Sequence, residues 1–386
     1  MSLSERITRS KGFLFGIAVT LVVLMTLEAA ARITAHDMPW LNSRYVTMSQ
    51  GFPDLDSLIA DAGWGPSAGG LKYYDDFLYS ARPATKKHIT FTNYYSSRHT
   101  PDSVPLETAD HIVWTFGGST MENTETTDRL TIANVWARMF NEALGPTHVK
   151  NFGVGGFSSS NELVKFQKLL RVVPTEERPT IAVFYDGYND AVHGFRYGAG
   201  SIQRDLALKL QALVEGDHLK LSLYASSNLL ASGSKLWERT GKPAIDHLLF
   251  PLGAPNIDDP ENLTRTVQTY VENVRMIDAT CDAFAIACVF VLQPLLLTKA
   301  PLAIIEQQAL KALTSHPRMG PDAVHFVRNF YSEATNILSD HDGFVDASNI
   351  LNGNPKPFFY DIGHTGALAA PIIGELVGTR VLARLR

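Results

Sequence analysis

The sequence predicts a three-layer α/β/α domain built on a five-stranded parallel sheet and preceded by an N-terminal transmembrane helix. Three observations predict it. From His111 onward, short apolar runs alternate with segments whose apolar residues recur every three to four positions, the pattern of strands covered by helices on both faces. Three of these strands lead into polar, glycine-rich turns, GGST, NFGVGG and YDGYND, and parallel sheets carry their sites at such carboxyl ends. Far upstream, Arg6, Arg9 and Lys11 precede an uncharged stretch from Gly12 to Leu27.

That stretch, continued to Ala31, reaches the roughly 20 residues a helix needs to cross a bilayer. Positive charge ahead of it places residues 1–11 in the cytoplasm and the body of the chain outside. Glu28 falls at the far edge, where it reaches headgroups and pairs with Arg32 at i+4. A cleaved signal peptide is the alternative, with Ala29-Ala30-Ala31 as its small-residue site. The awkward position of Glu28 and the length of the run favour a retained anchor over 12–33.

Residues 34–110 are irregular and rich in Tyr, Ser, Pro and Asp, and read as a stalk or strap packing on the main domain. Tyr73, Tyr74, Phe77, Tyr79, Phe91, Tyr94 and Tyr95 cluster near Arg82 and Arg98; sugar binding is one reading of them, packing the favoured one.

The domain proper is expected over 111–386. Its first strand, Ile112–Phe116, ends at Gly117-Gly118-Ser119, where the glycines clear space for an exposed serine hydroxyl. A helix over Ile132–Leu144 carries Val135, Trp136, Met139 and Phe140 on one face. The second strand, Val149–Phe152, runs into Gly153–Gly156; Ser159 and Glu162 then have capping-box spacing ahead of Leu163, Phe166, Leu169 and Leu170. The third strand, Thr180–Tyr185, ends in Asp186–Asp190. A helical insertion over about 194–259 interrupts the alternation, with a helix near Ile202–Leu213 and a second apolar region near Leu221–Leu236; insertions over strand ends often form lids or substrate walls. A helix over about Pro260–Thr280 shows Leu263, Val267, Tyr270, Val274 and Ile277. The fourth strand is Ala285–Leu292, a helical excursion covers roughly 303–339, and the fifth strand is Phe344–Asp346. The loop Asn352–His364 leads to a last helix, about Gly366–Leu385, with Leu368, Ile372, Leu376 and Val381.

Bulk properties exclude several function classes. A formal net charge of -5 offers no basic field for nucleic acid. Cys281 and Cys288 are too few for a disulfide framework or a zinc site. Lying at a helix end and then in a strand, they are expected as two free buried thiols, pairing only in an oxidising compartment. Neither a metal nor a cofactor is expected.

Four motifs in order give the chain a specific resemblance. Ser119 in FGGST, Gly156 in NFGVGG, Asn189 in GYND and His364 in DIGH, with Asp361 three residues ahead of it, resemble the signature residues of the SGNH or GDSL-type hydrolase superfamily, in a membrane-anchored bacterial-type member. The resemblance covers His111 to the C-terminus and implies a flavodoxin-like fold, with Ser119, His364 and Asp361 as a catalytic triad. It also implies an oxyanion hole from the Ser119 N–H, the Gly156 N–H and the Asn189 side-chain amide. The chain departs from the pattern at Gly118, where many members carry Asp.

The residue chemistry agrees. A serine hydroxyl needs a base to become nucleophilic, imidazole titrates in the right range, and a carboxylate fixes the imidazole. The oxyanion formed by attack on an ester needs fixed donors. Plainer roles stand beside these: Asn189 as a turn former, Gly156 as a turn glycine, Asp361 as a cap, Asp190 and His193 as structural residues. His341 beside Asp342 is a competing base, expected at the wrong end of the sheet.

The expected activity is serine esterase action on an acyl ester, an O-acetyl group above all, of a cell-surface or exported carbohydrate; a lipid ester is a further substrate class. The expected location is the inner membrane, single-pass, with the domain periplasmic or extracellular, near envelope polysaccharide machinery. An O-acyltransferase using the same site and a non-enzymatic envelope scaffold are the alternatives.

Overall fold

The computed structural model describes residues 19–32, 72–75, 78–81, 84–85, 89–92, 97–123, 126–200, 204–251, 259–315 and 319–384. They fall into two compact units, one over Met1–Leu41 and Asp205–Leu252, the other over Asn42–Arg204 and Gly253–Arg386.

The larger unit is organised by a parallel sheet of β1 (His111–Gly117), β2 (Thr147–Asn151), β3 (Ile181–Asp186), β4 (Ala287–Leu292) and β5 (Phe344–Asp346), in the spatial order β2-β1-β3-β4-β5. The five expected strands are all present. Winding starts outward from β1 to β2 and then reverses to β3, so the chain diverges between β1 and β3. Such switch points open a crevice at the carboxyl ends of the strands.

Side chains alternate across the sheet and separate two cores. On one face Phe116, Phe184 and Phe290 sit in register on β1, β3 and β4, with ring centroids 5.0 and 5.5 Å apart. Trp114 joins them there, and α3 (Ser159–Val172), α9 (Asn262–Phe284) and α11 (Gly320–Leu338) cover this face. Val113, Val183, Val289 and Val345 point the other way, against α2 (Ile132–Leu144) and α12 (Ala370–Arg384). Each large apolar side chain buried in this way contributes about 1.5–3 kcal/mol relative to exposure.

Local details differ from expectation in three places. The capping box of α3 lies one residue early: the Ser158 N–H donates to Asn161 Oδ1 at 3.2 Å, while Glu162 is buried. The inner face of α12 is Ile373, Val377 and Val381; Leu368, Ile372 and Leu376 pack only partly buried at its edge. Cys281 and Cys288 are not free thiols but a disulfide, with Cα atoms 6.2 Å apart. The α9–β4 connection turns sharply at Ala285, in the left-handed region at φ 56°, and brings helix end and strand start side by side.

The smaller unit contains an N-terminal helix over residues 19–32 and four helices of the insertion. These are α5 (Arg204–Val214), α6 (His218–Gly233), α7 (Lys235–Arg239) and α8 (Gly241–Leu249), where the sequence pattern suggested a helix and one apolar region. Glu28 and Arg32 pair as expected, Nε to Oε1 at 2.7 Å. The same two side chains reach the α6–α7 junction. Arg32 Nη2 donates to the Gly233 carbonyl at 2.9 Å, and Glu28 Oε2 accepts from Ser234 Oγ at 2.7 Å and from the Leu236 N–H at 2.8 Å. Among the described residues no helix is long and apolar enough to cross a membrane. Residues 12–18 and 33 of the expected span lie outside them.

Of the expected strap, most aromatic side chains lie outside the described residues. Arg98 is described and is not a surface sugar ligand: it is 1% exposed, packed into the domain. Its backbone N–H donates to the Asn151 carbonyl at 2.8 Å, along the free edge of β2.

Candidate active site

Ser119 begins α1 (Ser119–Glu122), a single turn directly after β1. Gly118 before it has φ -80°, a conformation open to any residue, so freedom is not the reason for glycine there. Space is. A Cβ at 118 would press into the Asn189 Nδ2 and come within 3.0 Å of the Phe157 carbonyl oxygen. An aspartate at this position would therefore displace Asn189 from its place in this chain.

His364 arrives from the loop between β5 and α12. Its Nε2 lies 2.5 Å from Ser119 Oγ, and its Nδ1 lies 2.8 Å from Asp361 Oδ2. The other carboxylate oxygen, Asp361 Oδ1, accepts from the backbone N–H of His364 at 2.8 Å and of Gly363 at 3.0 Å. Asp361 thus caps its own turn and holds the imidazole at once. A carboxylate facing Nδ1 keeps a proton on that nitrogen and leaves Nε2 to accept from the serine. The Tyr360 ring stacks on the imidazole, centroids 5.5 Å apart, and Tyr188 meets it edge-on at 6.3 Å.

The donor side of the site comes from β2 and β3. Gly156 lies in the turn after β2 at φ 86°, a left-handed conformation that favours glycine. Among the described residues, neither the Ser119 N–H nor the Gly156 N–H donates to a protein acceptor. The residues around Gly156 are pinned: the Val154 N–H donates to the Gly117 carbonyl at 3.0 Å, and the Gly155 N–H to Glu122 Oε2 at 2.8 Å. Asn189, in the first turn of α4 (Tyr188–Tyr197), donates from Nδ2 to the Phe157 carbonyl at 2.7 Å. One amide hydrogen is used there, and the other remains for a ligand.

Four residues that sequence reasoning did not place at the site hold it together. Arg98 Nη1 and Nη2 donate to the carbonyls of Glu122, Asn123 and Thr126 at 2.7–2.8 Å, and its Nε pairs with Asp128 Oδ1 at 2.8 Å, fixing the segment that follows the serine. Glu122 links the serine turn to the Gly156 loop. Gln293 accepts from Thr120 Oγ1 at 3.1 Å and donates to the Gly363 carbonyl at 3.3 Å, bridging the neighbours of Ser119 and His364. Glu306 on α10 (Ile304–Thr314), buried with Lys299 at 2.6 Å, accepts the N–H groups of Phe358 and Phe359 at 2.9 and 3.1 Å and moors the histidine loop. Only Glu122 left a readable signal, its spacing one turn from Ser119; the others each bond at least one backbone group of a distant segment, which no motif records.

The remaining candidates lie elsewhere. His341 stands at the amino end of β5 with Nε2 3.2 Å from Asp278 Oδ2. Asp190 accepts from Ser159 Oγ at 2.5 Å and tethers α3, and His193 is buried on α4. Beneath α4, Asp186 accepts from the Tyr270 hydroxyl at 2.7 Å; burial and then the Asp190 charge push its carboxyl up to about 8. Burial also raises Glu162 well above the usual carboxylate range, with Asp186 and Asp190 adding to the effect. Among the described residues no group of three His, Cys, Asp or Glu side chains is placed to hold a metal ion.

No family model matches the chain. No curated protein matches it either. Solved structures do. An acetylxylan esterase of Geobacillus stearothermophilus, in a catalytic mutant, aligns at 7% identity and a TM-score of 0.39, over 71% of this chain and 94% of that one. The psychrotrophic esterase EstA of a Pseudoalteromonas species aligns at 10% identity and 0.35, over 72% and 99%. A GDSL-like lipase of Bacteroides thetaiotaomicron aligns at 14% identity and 0.34, over 70% and 87%. Identities and scores at this level leave the chemistry of this chain to its own residues.

Proposed function

We propose that the chain is an ester hydrolase of the SGNH type, with Ser119 as nucleophile. The observation that carries this is the unbroken chain of hydrogen bonds from Ser119 Oγ through His364 to Asp361. Ser119 Oγ attacks the acyl carbonyl carbon while its proton passes to His364 Nε2, and the carbonyl π electrons move onto oxygen. The N–H groups of Ser119 and Gly156 and the Asn189 amide receive that oxyanion. Collapse expels the alcohol, which takes the proton from Nε2 and leaves an acyl-serine. Water, deprotonated by the same nitrogen, then releases the acid and restores the serine. Asp361 stabilises the imidazolium formed in each half without itself taking the proton.

The proposed substrate is an acyl ester, an O-acetyl group above all, on an exported or cell-surface carbohydrate. The proposed setting is the outer side of an inner membrane, with residues 12–33 as anchor. The basic N-terminal flank supports that orientation, and so does the Cys281–Cys288 disulfide, because such bonds persist in oxidising compartments. Acetate release from p-nitrophenyl acetate and from acetylated oligosaccharides tests the reading. Turnover by the wild type that is lost in Ser119→Ala supports it; transfer of acetyl to a sugar hydroxyl without release to water moves it to an acyltransferase. Absence of both reactions refutes it.

A further inference from the structure

The helical insertion carries an apolar surface that the proposed ester chemistry does not use. Among the described residues, fourteen of the twenty exposed large apolar side chains lie in the smaller unit. Half of them are on the N-terminal helix, from Val19 to Leu27. The other half are on the insertion, where Leu219, Leu229 and Leu248 are 73%, 75% and 74% exposed. Single exposed leucines are ordinary, whereas concentration in one unit marks an interaction surface. Leu219, Leu223, Leu229 and Leu230 are all exposed and together span about a third of the circumference of α6, the width of the apolar side that a helix lays against an apolar phase.

The position of this surface indicates what covers it. The insertion is bonded to the end of the apolar N-terminal helix through Arg32 to Gly233 and through Glu28 to Ser234 and Leu236. Those contacts sit where α6 ends and α7 begins, directly after Leu229 and Leu230. Glu28 and Arg32 are the first charged residues after the apolar run, so the chemistry that places them at headgroup level places the α6–α7 junction there too. The insertion has five Lys or Arg and five Asp or Glu over 205–252, and so offers no charge for a strongly acidic or basic protein partner.

We propose that the insertion is a membrane-docking module: α6 and α8 lie in the interface of the bilayer that the N-terminal helix enters, with Leu219, Leu229 and Leu248 in contact with acyl chains. The proposal rests on the anchored reading above and adds a second contact to it. It assigns the insertion to the membrane rather than to a lid role.

The test uses the full chain in phosphatidylcholine proteoliposomes, with bimane attached to single cysteines introduced as Val22→Cys, Leu219→Cys, Leu229→Cys or Leu248→Cys, and as Met276→Cys or Ile304→Cys for comparison. The native disulfide is kept oxidised, and each variant is checked for ester turnover. Replacing the lipid by its acyl-chain-brominated form should quench bimane at 22, 219, 229 and 248 and leave 276 and 304 bright. Quenching at 22 alone would leave the anchor standing and overturn the docking. No quenching at 22 would overturn the anchor and the docking together. Energy transfer between labelled copies at 219 or 229, without lipid quenching, would show a second copy on this surface and also overturn it.

Discussion

Two imidazoles at opposite ends of β5 have nearly the same immediate surroundings. His364, beyond the carboxyl end, has a carboxylate 2.8 Å from Nδ1; His341, before the amino end, has one 3.2 Å from Nε2. Both rest against an aromatic ring, Tyr360 at 5.5 Å for one and Phe290 at 5.5 Å for the other. What separates them is the other nitrogen. That of His364 faces a serine hydroxyl, whereas His341 Nδ1 accepts the Gly343 N–H at 3.1 Å and is spent on a turn. A His–carboxylate pair is therefore not a site by itself. The sheet sets the two apart, because the turns after β1, β2 and β3 all converge at its carboxyl end, where His364 meets Ser119.

Substitutions can break this comparison, and the largest contrast lies in the histidines themselves. His364→Ala should lower kcat for p-nitrophenyl acetate by about 10⁶, the scale of losing a triad base. His341→Ala should leave kcat unchanged; equal losses would erase the distinction. The carboxylates come next. Asp361→Asn should cost about 10⁴ in kcat by presenting the wrong hydrogen-bonding partner to Nδ1. Asp278→Asn should alter turnover little, as steady-state rates of the paired variants will show.

Smaller effects sharpen the geometry at the carboxyl end. Asn189→Ala should lower kcat by about 10²–10³ with little change in KM, as expected for a donor used in the transition state. Gly118→Ala should have an effect of that order by displacing the same amide. Full activity of Gly118→Ala would show that Asn189 is not held where its contacts place it.

The buried acids under α4 give the smallest effect, seen in stability. Asp186 is pushed up to about 8 from an ordinary 3.8, so the folded chain holds this proton more tightly than the unfolded chain. The stability it lends is full below about pH 4, declines as pH rises above that, and is lost through about pH 8. Asp186→Asn should therefore flatten the fall in urea midpoint between pH 5 and pH 8. Glu162 shifts in the same direction and leaves a residual slope. An unchanged slope would mean that Asp186 titrates normally.

The contrast between the two ends also shows what the sequence makes legible. The five strands, the polar turns that end β1, β2 and β3, and the low rank of His341 follow from alternation and turn chemistry, because these are local patterns repeated along the chain; the spatial order of the strands depends on pairing between distant segments, and the place of His364 follows only from the family resemblance. The disulfide was not legible: it depends on a left-handed Ala285 that closes a turn which composition does not signal. Packing of the Arg98 segment on the domain is legible, but the partners of Arg98 are not, for a related reason. Its guanidinium is satisfied by carbonyls of residues 122, 123 and 126, and a backbone acceptor has no residue type to recognise. Gly118 was legible as a departure but not as a consequence; only the Asn189 amide beside it explains why a side chain is excluded.

The central claim is that Ser119 is a nucleophile activated by His364. Intact-mass kinetics with a fluorophosphonate test it most directly. The wild type should gain one phosphonyl group, mapped to Ser119, at a rate that His341→Ala preserves and His364→Ala abolishes, and Ser119→Ala should remain unmodified. Equal modification of Ser119→Ala and the wild type, or a rate that follows His341 rather than His364, would contradict it.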